Sequence, residues 1–110
     1  MAAPEDEKPI VSLLADDPDE RSRIEVFVVG LGESVDSLQD LEQAADFARL
    51  ADLAHDLGRG AASHGFPSLS QAATHSATAA TARDGKQTRE ALLALTEIAR
   101  RIRLGHRGAV

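Results

Sequence analysis

Four histidines and no cysteine leave imidazole as the natural nucleophile or soft metal ligand of this chain. His55, His64, His75 and His106 form no HExxH pattern and no pair at i, i+4 spacing, and no carboxylate pattern accompanies them, which argues against a zinc site. Gly30-Leu31-Gly32 is too short for a phosphate-cradling loop and follows no strand. With no ATP-binding segment, a kinase activity is not expected, nor is a bound cofactor or metal. What remains is the imidazole itself, as a nucleophile open to a partner.

The stretch LADLAHDLGRGAASHGFPSLSQAA, residues 50–73, is the place for such a group. On a helix over 46–64, at about 100° per residue, Leu50, Ala54, Leu57 and Ala61 share one side. His55 then falls beside Ala51, Asp52, Arg59 and Ala62, at the edge of that stripe where solvent meets the core. Arg59 stands four residues on, so its guanidinium can reach past the imidazole on the same surface. A neutral imidazole attacks without a separate base. Beyond it, Gly58, Gly60, Ala61, Ala62, Ser63 and Gly65 offer a low surface onto which another protein could settle. A lone surface histidine is ordinarily a polar residue and nothing more, so the elements that position it have to carry the argument.

Those elements read as helices. Asp17-Pro18 resembles a helix start, with Asp17 as cap and Pro18 in the first helical position. Ile24, Phe27, Val28, Leu31, Val35, Leu38 and Leu41 recur at steps of three and four, predicting an amphipathic helix that ends near Ala45. Gly30 and Gly32 inside it are expected to weaken or bend it, by about 1 kcal/mol each relative to alanine. Phe47, Leu50, Ala54, Leu57 and Ala61 give a second stripe, interrupted at Phe66-Pro67-Ser68. The segment that follows is rich in alanine and threonine; Ala72, Ala73, Ala77 and Ala80 permit close helix approach, and Asp84-Gly85 closes it. Leu92, Leu95, Ile98, Ala99 and Ile102 form the last apolar face, which frays at Gly105. Ile10, Leu13 and Leu14 suggest a short additional helix near the N-terminus. No stretch alternates with period two, so the expectation is an all-α, antiparallel up-down four-helix bundle with a short N-terminal helix.

Composition sets the frame. The 110 residues suit one domain with a modest core. Residues 1–20 hold seven acids and one lysine, which accounts for the whole net charge of −6, while residues 21–110 carry eleven charges of each sign. Residues 1–9 read as a disordered acidic leader, 10–105 as the bundle and 106–110 as a flexible tail. Arg100, Arg101, Arg103 and Arg107 suit a helix C-terminus. With three Phe and neither Tyr nor Trp, the basic cluster lacks the interleaved aromatics of a nucleic-acid surface. No apolar run is long enough to span a bilayer and the first residues are acidic, so a cytoplasmic protein is expected, engaging neither nucleic acid nor membrane.

The whole pattern resembles the bacterial histidine-containing phosphotransfer (HPt) domain, whose signature is roughly Ala-His-x-Leu-Lys-Gly followed by small residues. Ala54, His55 and Leu57 match directly. Gly65 stands ten positions after the histidine and Leu69 fourteen after it, with Ala72-Ala73 continuing the register. The block at 15–20 followed by Phe27, Val28, Leu31, Val35 and Leu38 is similar to the first helix of such domains. The resemblance spans about residues 10–104 and implies a monomer, since such bundles ordinarily need no second chain. It implies a four-helix bundle of a two-component phosphorelay, in which His55 accepts a phosphoryl group from the aspartate of a response-regulator receiver domain, or of a hybrid histidine kinase, and passes it on. It also implies that the receiver brings Mg²⁺ and most of the charge stabilisation, while the bundle supplies placement. The docking surface would comprise Ala51, Asp52, Asp56, Gly58, Gly60, Ala62 and Ser63 around His55, with Gln71 from the next helix.

One departure stands out. The family places lysine three positions after the histidine and glycine four after it; here Gly58 and Arg59 exchange those properties. Arg59 then reads as the substitute cation beside the phosphoryl group, with Gly58 loosening the helix and removing side-chain cover. The same exchange allows a degenerate pseudo-HPt adaptor that binds receivers without efficient phosphorylation, because a long arginine there can obstruct docking. A plain helical interaction or dimerisation module, using the small face of Ala72, Ala73, Ala77 and Ala80, is the third reading. His64 takes a position that the family often gives to an apolar or aromatic residue, and it reads as structural or incidental.

Overall fold

The computed structural model describes residues 8–108, with side chains as far as His106. Most of the acidic leader expected over 1–9, and the end of the tail expected over 106–110, lie outside the described residues. Four helices account for most of the rest: α1 (Arg21–Gln43), α2 (Phe47–Ser63), α3 (Pro67–Thr81) and α4 (Gly85–Gly108). Among the described residues there is no strand. α2 packs most extensively on α3 and α3 on α4, while α1 closes the ring against α4 and α2; the diagonal helices do not approach backbone to backbone. The arrangement is the antiparallel four-helix bundle that the periodicity predicts.

The core follows from the stripes. Val28, Leu31, Val35 and Leu38 of α1 and Leu50, Ala54, Leu57 and Ala61 of α2 are buried with Phe66, Leu69, Ala72, Ala73 and Ala80, and with Leu92, Leu95, Ala99 and Ile102 of α4. α3 brings mostly small side chains to this core, which lets its neighbours approach it closely. Its one buried polar residue, Ser76, donates its hydroxyl to the Ala72 carbonyl one turn back, and Thr88 of α4 does the same to Asp84 at 2.7 Å. No buried side-chain polar atom among the described residues is left without a partner, as a stable interior requires.

The three connections, 44–46, 64–66 and 82–84, are built alike. Each places its middle residue in the left-handed region: Ala45 at φ 55, Gly65 at φ 83 and Arg83 at φ 57. Each also returns two backbone bonds to the preceding helix. Asp46 and Ala45 donate to Leu41 and Glu42, Phe66 and Gly65 to Ala61 and Ala62, and Asp84 and Arg83 to Ala79 and Ala80. These are Schellman ends, which satisfy the last carbonyls of a helix. Asp46 then caps α2 by accepting from the Arg49 amide, and Asp84 caps α4 by accepting from Gln87. Asp84 therefore opens α4, where the sequence suggested that it closes α3. Pro67 begins α3 in the place where a missing amide costs nothing.

The sequence expectation fails at the N-terminal end of the bundle. Residues 11–20 contain turns and no helix, so the short N-terminal helix is absent. The segment is instead a strap of successive turns, in which Ala15, Asp17 and Glu20 donate to Ser12, Leu14 and Asp17, and its first residues bond to distant parts of the chain. Ile10 donates to the Arg101 carbonyl and Leu13 to that of Gly65; the Ser12 hydroxyl donates to the His64 carbonyl at 2.5 Å. α1 starts at Arg21, after Pro18, and no side chain caps it; Asp17 accepts from Asp19 within the preceding turn. Gly30 and Gly32 leave α1 an unbroken helix. At the other end α4 continues past Gly105 to Gly108. Gly105 is buried against the strap, where an added Cβ would collide with the Ile10 carbonyl. The arginines of this end are engaged: Arg100 pairs with Glu97 at 2.6 Å, and Arg101 donates to the Lys8 carbonyl at 2.8 Å. The Arg103 guanidinium lies over Gly32. The Arg100 hydrogen bond holds the Glu97 carboxyl below its ordinary range.

Candidate functional site

α2 begins at the Asp46 cap and carries His55 at its middle. Its buried side is Leu50, Ala54, Leu57, Gly58 and Ala61. His55 is exposed, and neither a hydrogen bond nor an ion pair joins it to any described residue. Arg59, one turn on, is exposed too, and it pairs with no carboxylate among the described residues. An imidazole and a guanidinium thus stand on one outward surface, about 6 Å apart along the helix axis at 1.5 Å per residue, with no partner for either among the described residues. Such a pair can offer a nucleophilic nitrogen and, beside it, a cation for the anionic group that the nitrogen would take.

The other expected docking residues divide into two groups. Asp52, Asp56, Ala62 and Ser63 are exposed, Ala51 is half-buried, and Gln71 of α3 is exposed. Gly58 is buried, and a Cβ on it would meet the Ala73 Cβ and the Ser70 carbonyl at 3.4 Å and the Thr74 hydroxyl at 3.7 Å. It therefore adds no surface, and it brings α3 against α2 where a loosened helix was expected. Gly60 is half-covered, because the Phe27 ring of α1 sits 3.2 Å from where its Cβ would be. The low bare surface expected beyond His55 is thus filled on its α1 side.

His64 belongs to that filling. Its ring stacks on Phe27 with centroids 4.7 Å apart and planes 13° from parallel, and Phe27 stacks in turn on Phe66 at 5.8 Å. The His64 Nδ1–H donates to the Gly60 carbonyl at 2.6 Å. Its place is structural, at the end of α2, while His75 is exposed on α3. Among the described residues no group of three His, Asp or Glu side chains converges as a metal site would need.

The α3 side of the site had no counterpart among the residues singled out from the sequence. The contact of Thr74 with Gly58 shows which edge of α3 borders α2. Thr78 follows Thr74 by one turn on that edge and is exposed. The Thr74 hydroxyl donates to the Ser70 carbonyl at 2.9 Å; that of Thr78 has no partner among the described residues. Their i, i+4 spacing is visible in the sequence, but only the packing of the two helices ties it to His55.

No helix of the described residues is long and apolar enough to cross a membrane. Comparison with protein-family models, curated proteins and solved structures finds no match to this chain.

Proposed function

We propose that this four-helix bundle is a histidine phosphotransfer protein of a two-component phosphorelay, with His55 as phosphoryl acceptor. The observation that carries the reading is an exposed imidazole on α2 with an exposed guanidinium one turn away, neither of them partnered among the described residues. In the transfer a His55 ring nitrogen attacks the phosphorus of a receiver's aspartyl phosphate. The P–N bond forms as the P–O bond to the aspartate breaks, the carboxylate leaves with the electron pair, and the ring gives up its N–H proton to solvent. The reverse step passes the group to the next receiver. The bundle contributes a fixed ring on a rigid helix and a cation beside the phosphoryl oxygens; the receiver contributes the metal and the acyl phosphate.

Burial of Gly58 supports Arg59 in the cationic role. A lysine three positions after the histidine would have to enter the α2–α3 contact, whereas the fourth position opens to solvent. The partners of this reading are a receiver domain, a hybrid histidine kinase, or both. The site is tested by incubating the chain with receiver domains loaded from radiolabelled acetyl phosphate. The expected result is transfer of acid-labile, base-stable label to the chain and its loss in His55→Gln. Receiver binding without label would instead favour the pseudo-HPt adaptor. The exposed Arg59, which a docking receiver has to accommodate, is the feature that favours it.

A further inference from the structure

We infer that the Thr78 hydroxyl of α3 donates a hydrogen bond to the phosphoryl group carried by His55, a role that rests on the phosphotransfer reading above. The argument is one of register. α2 and α3 are consecutive, antiparallel and in close contact where Gly58 faces Ser70, Ala73 and Thr74. From that contact, stepping back along α2 to His55 and forward along α3 to Thr78 moves in the same direction along the seam. At about 1.5 Å of rise per residue His55 stands about 4.5 Å from Gly58, and Thr78 about 6 Å from Thr74 and about 7.5 Å from Ala73, so the two residues finish within about 3 Å of level.

Angle and side-chain direction agree. At about 100° per residue His55 lies about 60° beyond Gly58 on the outer side of α2, and Thr78 lies about 40° beyond Thr74 on the outer side of α3. Each side chain leans toward the N-terminus of its own helix. In antiparallel neighbours those leanings are opposed, and they bring the His55 ring and the Thr78 hydroxyl toward each other. Arg59 approaches the ring from one turn below on α2. Of the two threonines on this edge, Thr74 has already spent its hydroxyl proton on the Ser70 carbonyl. Thr78 has not, since no described residue partners it. A phosphoryl group on His55 would therefore stand between a guanidinium and a free hydroxyl donor from different helices.

The test uses the intact chain and potassium phosphoramidate, which needs no receiver. A His55 ring nitrogen attacks phosphorus, the P–N bond of phosphoramidate breaks, ammonia leaves, and the ring N–H proton passes to water. Phosphorus NMR, assigned to His55 by its absence in His55→Gln, then follows the last protonation of the phosphoryl group as pH is varied. A donor that favours the dianion lowers that midpoint. The midpoint is expected to rise by about half a pH unit or more in Thr78→Val, to return in Thr78→Ser and to stay in place in Thr74→Val. A normal midpoint in Thr78→Val, with His55 labelled, overturns this inference and leaves the phosphotransfer reading standing. Failure of His55 to take the group overturns both.

Discussion

The rings of Phe27 and His64 stack 4.7 Å apart, joining the first half of α1 to the end of α2. Of the two histidines on the 50–73 stretch, His64 is therefore part of the frame, while His55 has no partner among the described residues. The substitutions should separate accordingly. His64→Ala loses the stack and the Nδ1–Gly60 bond, and is expected to cost about 1–2 kcal/mol of stability while leaving phosphorylation at His55 intact. His55→Gln should leave the urea midpoint within about 0.5 kcal/mol of the parent and abolish labelling. Parallel denaturation and labelling of both variants check the separation.

Gly58 yields a graded prediction. A single methyl there meets ordinary contacts at 3.4 Å and gains helix propensity, so Gly58→Ala should stabilise by up to about 1 kcal/mol. A longer side chain has to push α3 away. Gly58→Lys is expected to destabilise by about 1–3 kcal/mol, read from the thermal midpoint.

The two non-glycine corners are strained in a way that the third is not. Ala45 and Arg83 hold φ near +55, where a Cβ is disfavoured by about 1–2 kcal/mol. Ala45→Gly and Arg83→Gly are each expected to stabilise by about 1 kcal/mol. Gly65→Ala should do the opposite and cost about 2 kcal/mol or more, because its Cβ would also stand 2.5 Å from the Ser12 hydroxyl. Urea unfolding of the three variants gives the comparison.

Charge at Arg59 should matter to transfer more than to folding. The guanidinium is exposed and unpaired among the described residues, so Arg59→Ala is expected to change stability by less than about 0.5 kcal/mol. The rate of label transfer to His55 should fall by about tenfold or more, with Arg59→Lys recovering part of it. An unchanged rate in Arg59→Ala would remove the cation from the proposed mechanism.

The four helices were legible in the sequence because Leu, Phe and Val recur at helical steps, and burial of those stripes is what makes each helix persist. The outward placement of His55 and Arg59 followed from the same count. The strap was misread because Ile10, Leu13 and Leu14 imitate a helical step, whereas the Ile10 and Leu13 amides bond to carbonyls of residues 101 and 65, and local spacing carries no trace of such distant partners. Gly65 announces its corner, while Ala45 and Arg83 hide theirs behind side chains that normally avoid that conformation. Gly58 gave the wrong signal for a related reason. A glycine inside a helix reads as slack until the surface opposite it is known, and here that surface is Ala73.

The strap also bears on the order of folding. The Arg101 bond to Lys8 joins residues 93 positions apart, whereas each helix pairs with its sequence neighbour through a three-residue corner. Closing the longer circuit costs more chain entropy and repays it only once α4 is docked. The N-terminal segment should accordingly be the last piece to settle and the first to detach, its amides exchanging with solvent while the bundle beneath stays shut.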